Sequence, residues 1–443
     1  MTGPVDTART PLGRAAGLVA VAYVATLPLA HLVVVPVGGA AATLSDIVLA
    51  VLVLVCGGAA WGARGGAEAR RSIDSSAALG IALLLGFGVW IAVSALWGFH
   101  TNHALVKGGG IVALALGAWL LGTATTGPDR LADGWLMGSL VALLVTVLFG
   151  LAGTDVLRER ILYTGGRVEG LPFIRLQGPF PHPNLFGEYL FVSGVLLWWR
   201  WPAWVGRRRV LGVALAAGLA AGLALSVSSA AVAVGAGLIA LAFQGSSGLT
   251  PGRRVGALAC GAVLVAVTLA AAVWPITFSV AGVAITTGGG RPEIWMGALE
   301  AVKEAPLLGV GSAPFLAATT EAVAPGGVLR YWDAHSTYLS VLGQFGPVGM
   351  ILFFGGLAFV ARGVLAATRA SDPASGRLRA ALIVLAAGLL VHWVTIAGED
   401  FRHLWALLGL GVSAAMGPVG APWPEAAGAT PQAAGATPEA EGP

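Results

Sequence analysis

Charge is what this sequence has least of. Only 10% of its 443 residues are Asp, Glu, Lys or Arg, whereas a water-soluble domain carries roughly a quarter. So few charges cannot solvate the outside of a large globule, but they suit a helix bundle whose outer surface is lipid. Cysteine is scarce as well. Cys56 and Cys260 fall in apolar stretches far apart and form no CxxC pair, so neither a disulfide nor a metal site is indicated. The net charge of +4 is not a sign of nucleic-acid binding, because what matters is where the charges sit. Apolar residues, by contrast, make up 57% of the chain, and the mean hydropathy is +0.84. The 66 glycines fit this class, since small residues let membrane helices approach closely.

About 30 Å of hydrocarbon needs roughly 20 residues of helix. Apolar windows of that kind lie near 15–37, 40–61, 77–97, 104–122, 135–153, 185–201, 255–275, 337–361, 379–397 and 402–417. The run 209–243 is too long for one span, and Ser226-Val227-Ser228-Ser229 at its middle splits it in two. The fold expected is an all-α, polytopic membrane bundle of about twelve helices. The first apolar run has no cleavage site ahead of a soluble domain, so it is read as a retained helix. An even count puts both termini on one side. With that side cytoplasmic, sixteen of the twenty-five Lys and Arg residues face the cytoplasm, among them Arg207, Arg208 and Arg209 in one compact loop. The chain is therefore expected in the inner (plasma) membrane with both termini inside. Residues 1–169 form the first five spans and the start of an external loop, and 170–417 form a second unit with spans six to twelve. Residues 418–443, an Ala/Gly/Pro-rich near-repeat, read as a disordered tail.

Two long external loops, about 154–184 and 276–335, contain Trp, Phe and Pro and stand out as functional. The second separates spans nine and ten. It holds Gly288-Gly289-Gly290-Arg291-Pro292-Glu293-Ile294-Trp295, where Pro292 suits the first turn of a helix that Pro306 ends. That helix puts Trp295, Ala298, Leu299 and Val302 on one face, and Arg291 at its N-terminus can meet an anionic ligand or a lipid headgroup. His335, at the external mouth of span ten, suits either a general base or a helix cap. In the first loop Arg175 and His182 flank a rigid run with Pro179, Pro181 and Pro183, and both are candidate ligand contacts. Glu399, Asp400, Arg402 and His403 form a last external cluster, read as charges pairing with one another.

Several of these stretches resemble the O-antigen ligase and polymerase family. Gly290-Arg291, Trp295, Ala298, Pro306 and Gly309-Val310-Gly311 are similar to its core, followed by His335-Ser336, Leu339, Gln344, Gly346 and Gly349. Arg175, Gly178 and Pro183-Asn184 resemble an earlier motif, and the likeness spans about 170–415. The resemblance implies a GT-C-like, inverting, metal-independent glycosyltransferase that needs no cofactor. Its donor would be a glycan on undecaprenyl pyrophosphate, and its acceptor a hydroxyl of a glycan, lipid or protein. Membrane lipids are the other partners, and no nucleic acid is implied. Under it His335 is the base, and Arg291 and Arg175 hold the pyrophosphate. One departure is Ser229, where the family often has an arginine. A second cationic contact is then either missing or supplied by Arg175, Arg330 or Arg402. Two other classes stay open, a small-solute transporter and a non-catalytic envelope partner. A transporter usually places polar groups at mid-membrane, where Asp46 and Lys107 are the main candidates here.

Overall fold

The computed structural model describes residues 11–30, 34–37, 40–62, 74–98, 100–124, 126–151, 161–168, 171–244, 249–274, 276–280, 283–287, 291–312, 315–316, 331–332, 334–368 and 373–416. Within them the apolar windows fold into α1 (Pro11–Thr26), α2 (Leu44–Gly62), α3 (Ser75–Val93), α4 (Thr101–Thr123), α5 (Pro128–Leu151), α6 (Pro183–Arg200), α7 (Arg207–Ser226), α8 (Ala231–Phe243) and α9 (Pro251–Val273). After α10 (Arg291–Glu304) come α11 (Thr337–Ala367), α12 (Pro373–His392) and α13 (Arg402–Ala415). The architecture is an all-α polytopic membrane bundle. Among the described residues, 8 helices are long and apolar enough to cross a membrane, and α2 and α8 are shorter apolar helices. The helices α6 and α13 are less apolar because they are interior. Nearly every side chain of both is buried, and they carry Glu188 and His403, whereas the very apolar α9 buries only Gly261 and Ala272. The long run breaks at its serines: α7 ends at Ser226, Val227 adopts φ 41°, and α8 begins at Ala231.

Several expectations need correction. Four antiparallel hairpins occupy stretches expected as helix or loop: β1 (Val34–Val37) with β2 (Ala40–Thr43), β3 (Leu162–Val168) with β4 (Leu171–Leu176), β5 (Ile276–Val280) with β6 (Val283–Thr287), and β7 (Phe315–Leu316) with β8 (Tyr331–Trp332). The first apolar window therefore stops as helix at Leu29. The span expected at 379–397 ends at His392, because the backbone beyond it serves another element. Trp393 and Ile396 carbonyls accept from the Thr337 N–H, and Gly398 N–H donates to Thr337 Oγ1. On α10 the buried stripe is Ala298 and Ala301, while Leu299 is exposed. Arg330 and the tail after Met416 lie outside the described residues.

One feature of α11 positions the site. The helix breaks at Gly346 (φ 65°, ψ −170°) just before Pro347. Proline has no N–H, and the break removes further donors, so the carbonyls before it need other partners. Val310 N–H reaches Gly343 O at 3.0 Å and Gly311 N–H reaches Gln344 O at 2.9 Å. Trp90 Nε1 donates to Phe345 O at 2.9 Å. Gly309 (φ 72°) makes the approach possible, since a Cβ there would lie 2.3 Å from the Gln344 carbonyl. The segment after α10 is thus strapped to α11, and Ala298 and Ala301 of α10 pack against Ala334, next to His335.

Helix ends divide the bundle into two faces. The N-termini of α6, α8, α11 and α13 gather at one end with the C-termini of α7 and α12, tied by side-chain hydrogen bonds. The other end carries the Arg207–Arg209 run and Arg200, which pairs with Asp129 and Asp133. There Arg377 of α12 also donates to the Trp198 carbonyl of α6.

Candidate active site

Four residues singled out in the sequence come together at the first face. Arg175 ends β4, and its Nε donates to Ser226 O at 3.0 Å while Nη2 donates to Asn184 Oδ1 at 2.9 Å. His182 is the N-cap of α6, with Nδ1 accepting from Asn184 N–H at 3.1 Å, ahead of Pro183 in the first turn. Burial lowers His182 to about 3, helped by the charges of Arg175, His335 and Arg291. Every described charge acting on this imidazole is positive. Burial likewise lowers His335 to about 4, with Arg291 adding to the effect. Arg291, at the start of α10, is half-buried, and its pKa is lowered by burial. Among the described residues neither Arg291 nor His335 has a hydrogen-bond partner.

His335 is not the cap of α11. That place belongs to Ser336, whose hydroxyl accepts from Leu339 N–H. His335 itself adopts φ 44°, and Val227 beside the Arg175 anchor adopts φ 41°. Left-handed backbone costs a residue with a Cβ about 1–2 kcal/mol. Both described instances fall at this site, where stored strain is typical of function.

Directly beneath lies a polar chain that the sequence reading missed. Glu188, one turn along α6 from Asn184, is fully buried. Its two carboxylate oxygens stand 2.7 Å from His392 Nδ1 and 2.7 Å from His403 Nε2. A carboxylate only accepts, so each imidazole carries its hydrogen on the nitrogen facing it. On the other side of its ring His392 Nε2 stands 3.1 Å from the Ser229 hydroxyl. Ser229 N–H in turn donates to Asn184 Oδ1 at 3.3 Å, which joins the chain to Arg175. A lone Glu and a lone His inside apolar windows were the available signals.

The remaining charges at this face are committed elsewhere. Arg402 makes two hydrogen bonds to Asp46, 2.9 and 2.8 Å, and so ties α13 to α2. Lys107 pairs with Glu399 at 2.9 Å, and Ser340 donates to the same oxygen. The cluster at 399–403 therefore pairs across elements rather than within itself, with His403 on Glu188. An apolar cavity of about 520 Å³ opens below, lined by Leu190 and Trp198 of α6, Leu223 of α7, Gly237 of α8 and Val384 of α12. Leu223 is one turn from Ser226, whose carbonyl holds Arg175.

A family model described as O-antigen ligase matches residues 213–354, which include Ser229, Arg291 and His335 but not Arg175 or Glu188. No curated protein matches the chain. The matched stretch is thus similar to O-antigen ligases, and the apolar helices are those of a multi-pass membrane protein.

Proposed function

We propose, for a membrane protein whose residues 213–354 match the O-antigen ligase family, transfer of a glycan from undecaprenyl pyrophosphate to an acceptor hydroxyl. The observation that carries this reading is the cluster of Arg175, His182, Arg291 and His335, in which every described charge acting on His182 is cationic. With both imidazoles neutral, Arg175 and Arg291 carry its charge, and guanidiniums in a partly buried site favour an anion beside them. A pyrophosphate fits, since guanidinium forks match its oxygens and stabilise the charge that grows as the anomeric bond breaks.

His335 is neutral at pH 7, because burial and Arg291 hold it near 4. A neutral imidazole can accept a proton. The arriving pyrophosphate offsets Arg291 and raises the basicity of His335. The acceptor oxygen then attacks the anomeric carbon from the side opposite the leaving group, and its proton passes to His335. The polyprenyl pyrophosphate departs with the electron pair, so the anomeric centre inverts. The guanidiniums supply the charge stabilisation in place of a metal ion. The polyprenyl chain has an apolar place beside the headgroup in the cavity below Ser226.

The arginine-bearing face is assigned to the cytoplasm by the positive-inside rule, with both termini there. The site then faces outward from the inner membrane, where lipid-linked glycans meet glycan, lipid or protein acceptors. A transporter reading is weaker, because Asp46 and Lys107 are held in ion pairs. The deciding experiment incubates the purified protein with a lipid-linked glycan and an acceptor and follows the glycan by mass. Intact donor after many hours with every acceptor class would overturn the transferase reading.

A further inference from the structure

Asn184 is held in a way that its structural duties do not explain. It is 3% exposed, in the first turn of α6. Its Oδ1 accepts from Arg175 Nη2 and from Ser229 N–H. Both partners have only hydrogens to give, so the oxygen and nitrogen of this carboxamide are assigned by chemistry. The Nδ2 amine must point the other way, and among the described residues nothing accepts from it. The side chain as a whole is buried, but this nitrogen is not sealed in, so it is a donor facing an accessible opening. The side chain is nevertheless pinned at several points. Its backbone N–H is bonded to His182 Nδ1, and Ser229 is fixed through its hydroxyl to His392 and so to Glu188.

We propose that Asn184 is a substrate-binding residue whose Nδ2 amine donates to an oxygen of the bound pyrophosphate, and that Ser229 is the positioning residue that aims it. This rests on the pyrophosphate reading of the cationic cluster. Arg175 and Asn184 form one unit: the guanidinium polarises the carboxamide oxygen, which makes the amine a better donor. An anion at that opening accepts the amide hydrogen bond that no described residue takes. The N-terminal N–H groups of α6 favour an anion at the same place.

The test is a titration of inorganic pyrophosphate into the purified full-length protein, read by calorimetry and by melting temperature. Asn184→Asp keeps an acceptor for Arg175 and Ser229 but replaces the donor amine with a negative charge. If Asn184 only anchors Arg175, Asp serves as well or better. If it binds substrate, Asp weakens pyrophosphate binding by about 100-fold and Ala by about 10-fold, the range of a hydrogen bond to a charged group. The Asp variant should still melt no lower than wild type. Ser229→Ala should weaken donor binding a few-fold, raising KM with kcat unchanged, and Ser229→Thr should restore it.

Pyrophosphate affinity in Asn184→Asp equal to wild type overturns the proposal, as does a wild type that binds no pyrophosphate. Should the Asp variant not fold, Asn184→Ala decides, and unchanged affinity there overturns the assignment. Binding in the expected order by a protein that transfers no glycan leaves Asn184 in an anion site and removes the transferase reading alone.

Discussion

His335 holds a left-handed backbone that glycine would adopt without strain, φ 44°. His335→Gly should therefore melt at or above wild type by about 1 kcal/mol, and His335→Ala close to it. Transfer per folded molecule should fall by about 10²–10⁴-fold in both, the usual cost of a lost general base. Single-turnover transfer and melting temperature on one sample check this, and normal turnover would remove the base assignment. The pH dependence has a definite sign. Burial, then Arg291, holds folded His335 near 4, below an unfolded value of about 6.5. The unfolded chain takes the proton first as pH falls, so the stability contributed by the neutral ring is full above about 6.5 and lost toward 4. Wild type should thus lose more melting temperature between pH 7 and 4.5 than His335→Ala does. Bound pyrophosphate raises the same group, so the acid limb of kcat should lie at higher pH than that of kcat/KM. At Arg291, Lys supplies a point charge but no fork. Arg291→Lys should be nearly as harmful to transfer as Arg291→Ala, and a Lys variant with most of its activity would reduce Arg291 to a simple charge.

Among the elements, the break in α11 and the strap across it decide whether Arg291 meets His335 at all. Pro347 frees the Gly343 carbonyl, and Val310 N–H takes it. Gly309→Ala forces a Cβ to within 2.3 Å of the Gln344 carbonyl at φ 72°, so something must shift. Backbone strain and lost strap bonds should cost about 2–4 kcal/mol. Pyrophosphate binding should drop in the fraction that folds, because α10 is carried by the strap. Pro347→Ala leaves the positive φ of Gly346 in place and should be the milder change. Melting curves of the two variants check the order, and a Gly309→Ala protein as stable as wild type would show that the strap is dispensable. The sequence marked Gly309-Val310-Gly311 and Gln344-Phe345-Gly346-Pro347 separately. Their connection was illegible there, since it consists of backbone carbonyls that any residue carries.

For the molecule as a whole, the segregation of arginine to one face makes orientation testable. In a background with Cys56 and Cys260 changed to Ala, cysteine at Val205 or Gly252 should label only after the membrane is permeabilised. Val205 is exposed, and a Cβ at Gly252 meets nothing within 4 Å. Cysteine at Gly166 should label from outside. External labelling at Val205 would reverse the map and place the cationic cluster in the wrong compartment for lipid-linked glycans. The windows near 185–201 and 402–417 became α6 and α13. They are the interior of the bundle, so their polar residues contact one another instead of lipid.

Hydrophobic run length and arginine placement are properties of consecutive residues. By themselves they determined the membrane class, most of the helices and the break at Ser226–Ser229, while local motifs marked the candidates Arg175, His182, Arg291 and His335. Partnership between distant residues is not such a property. Glu188, His392 and His403 come from three helices and Ser229 from the turn between α7 and α8, and nothing in their spacing pairs them. Only the packing of α6, α8, α12 and α13 joined them into one hydrogen-bonded chain. The same packing took Arg402 away to Asp46 and gave the helix cap to Ser336 instead of His335. A charge in a low-dielectric interior settles on whichever partner the fold brings within about 3 Å, and sequence spacing does not encode that distance.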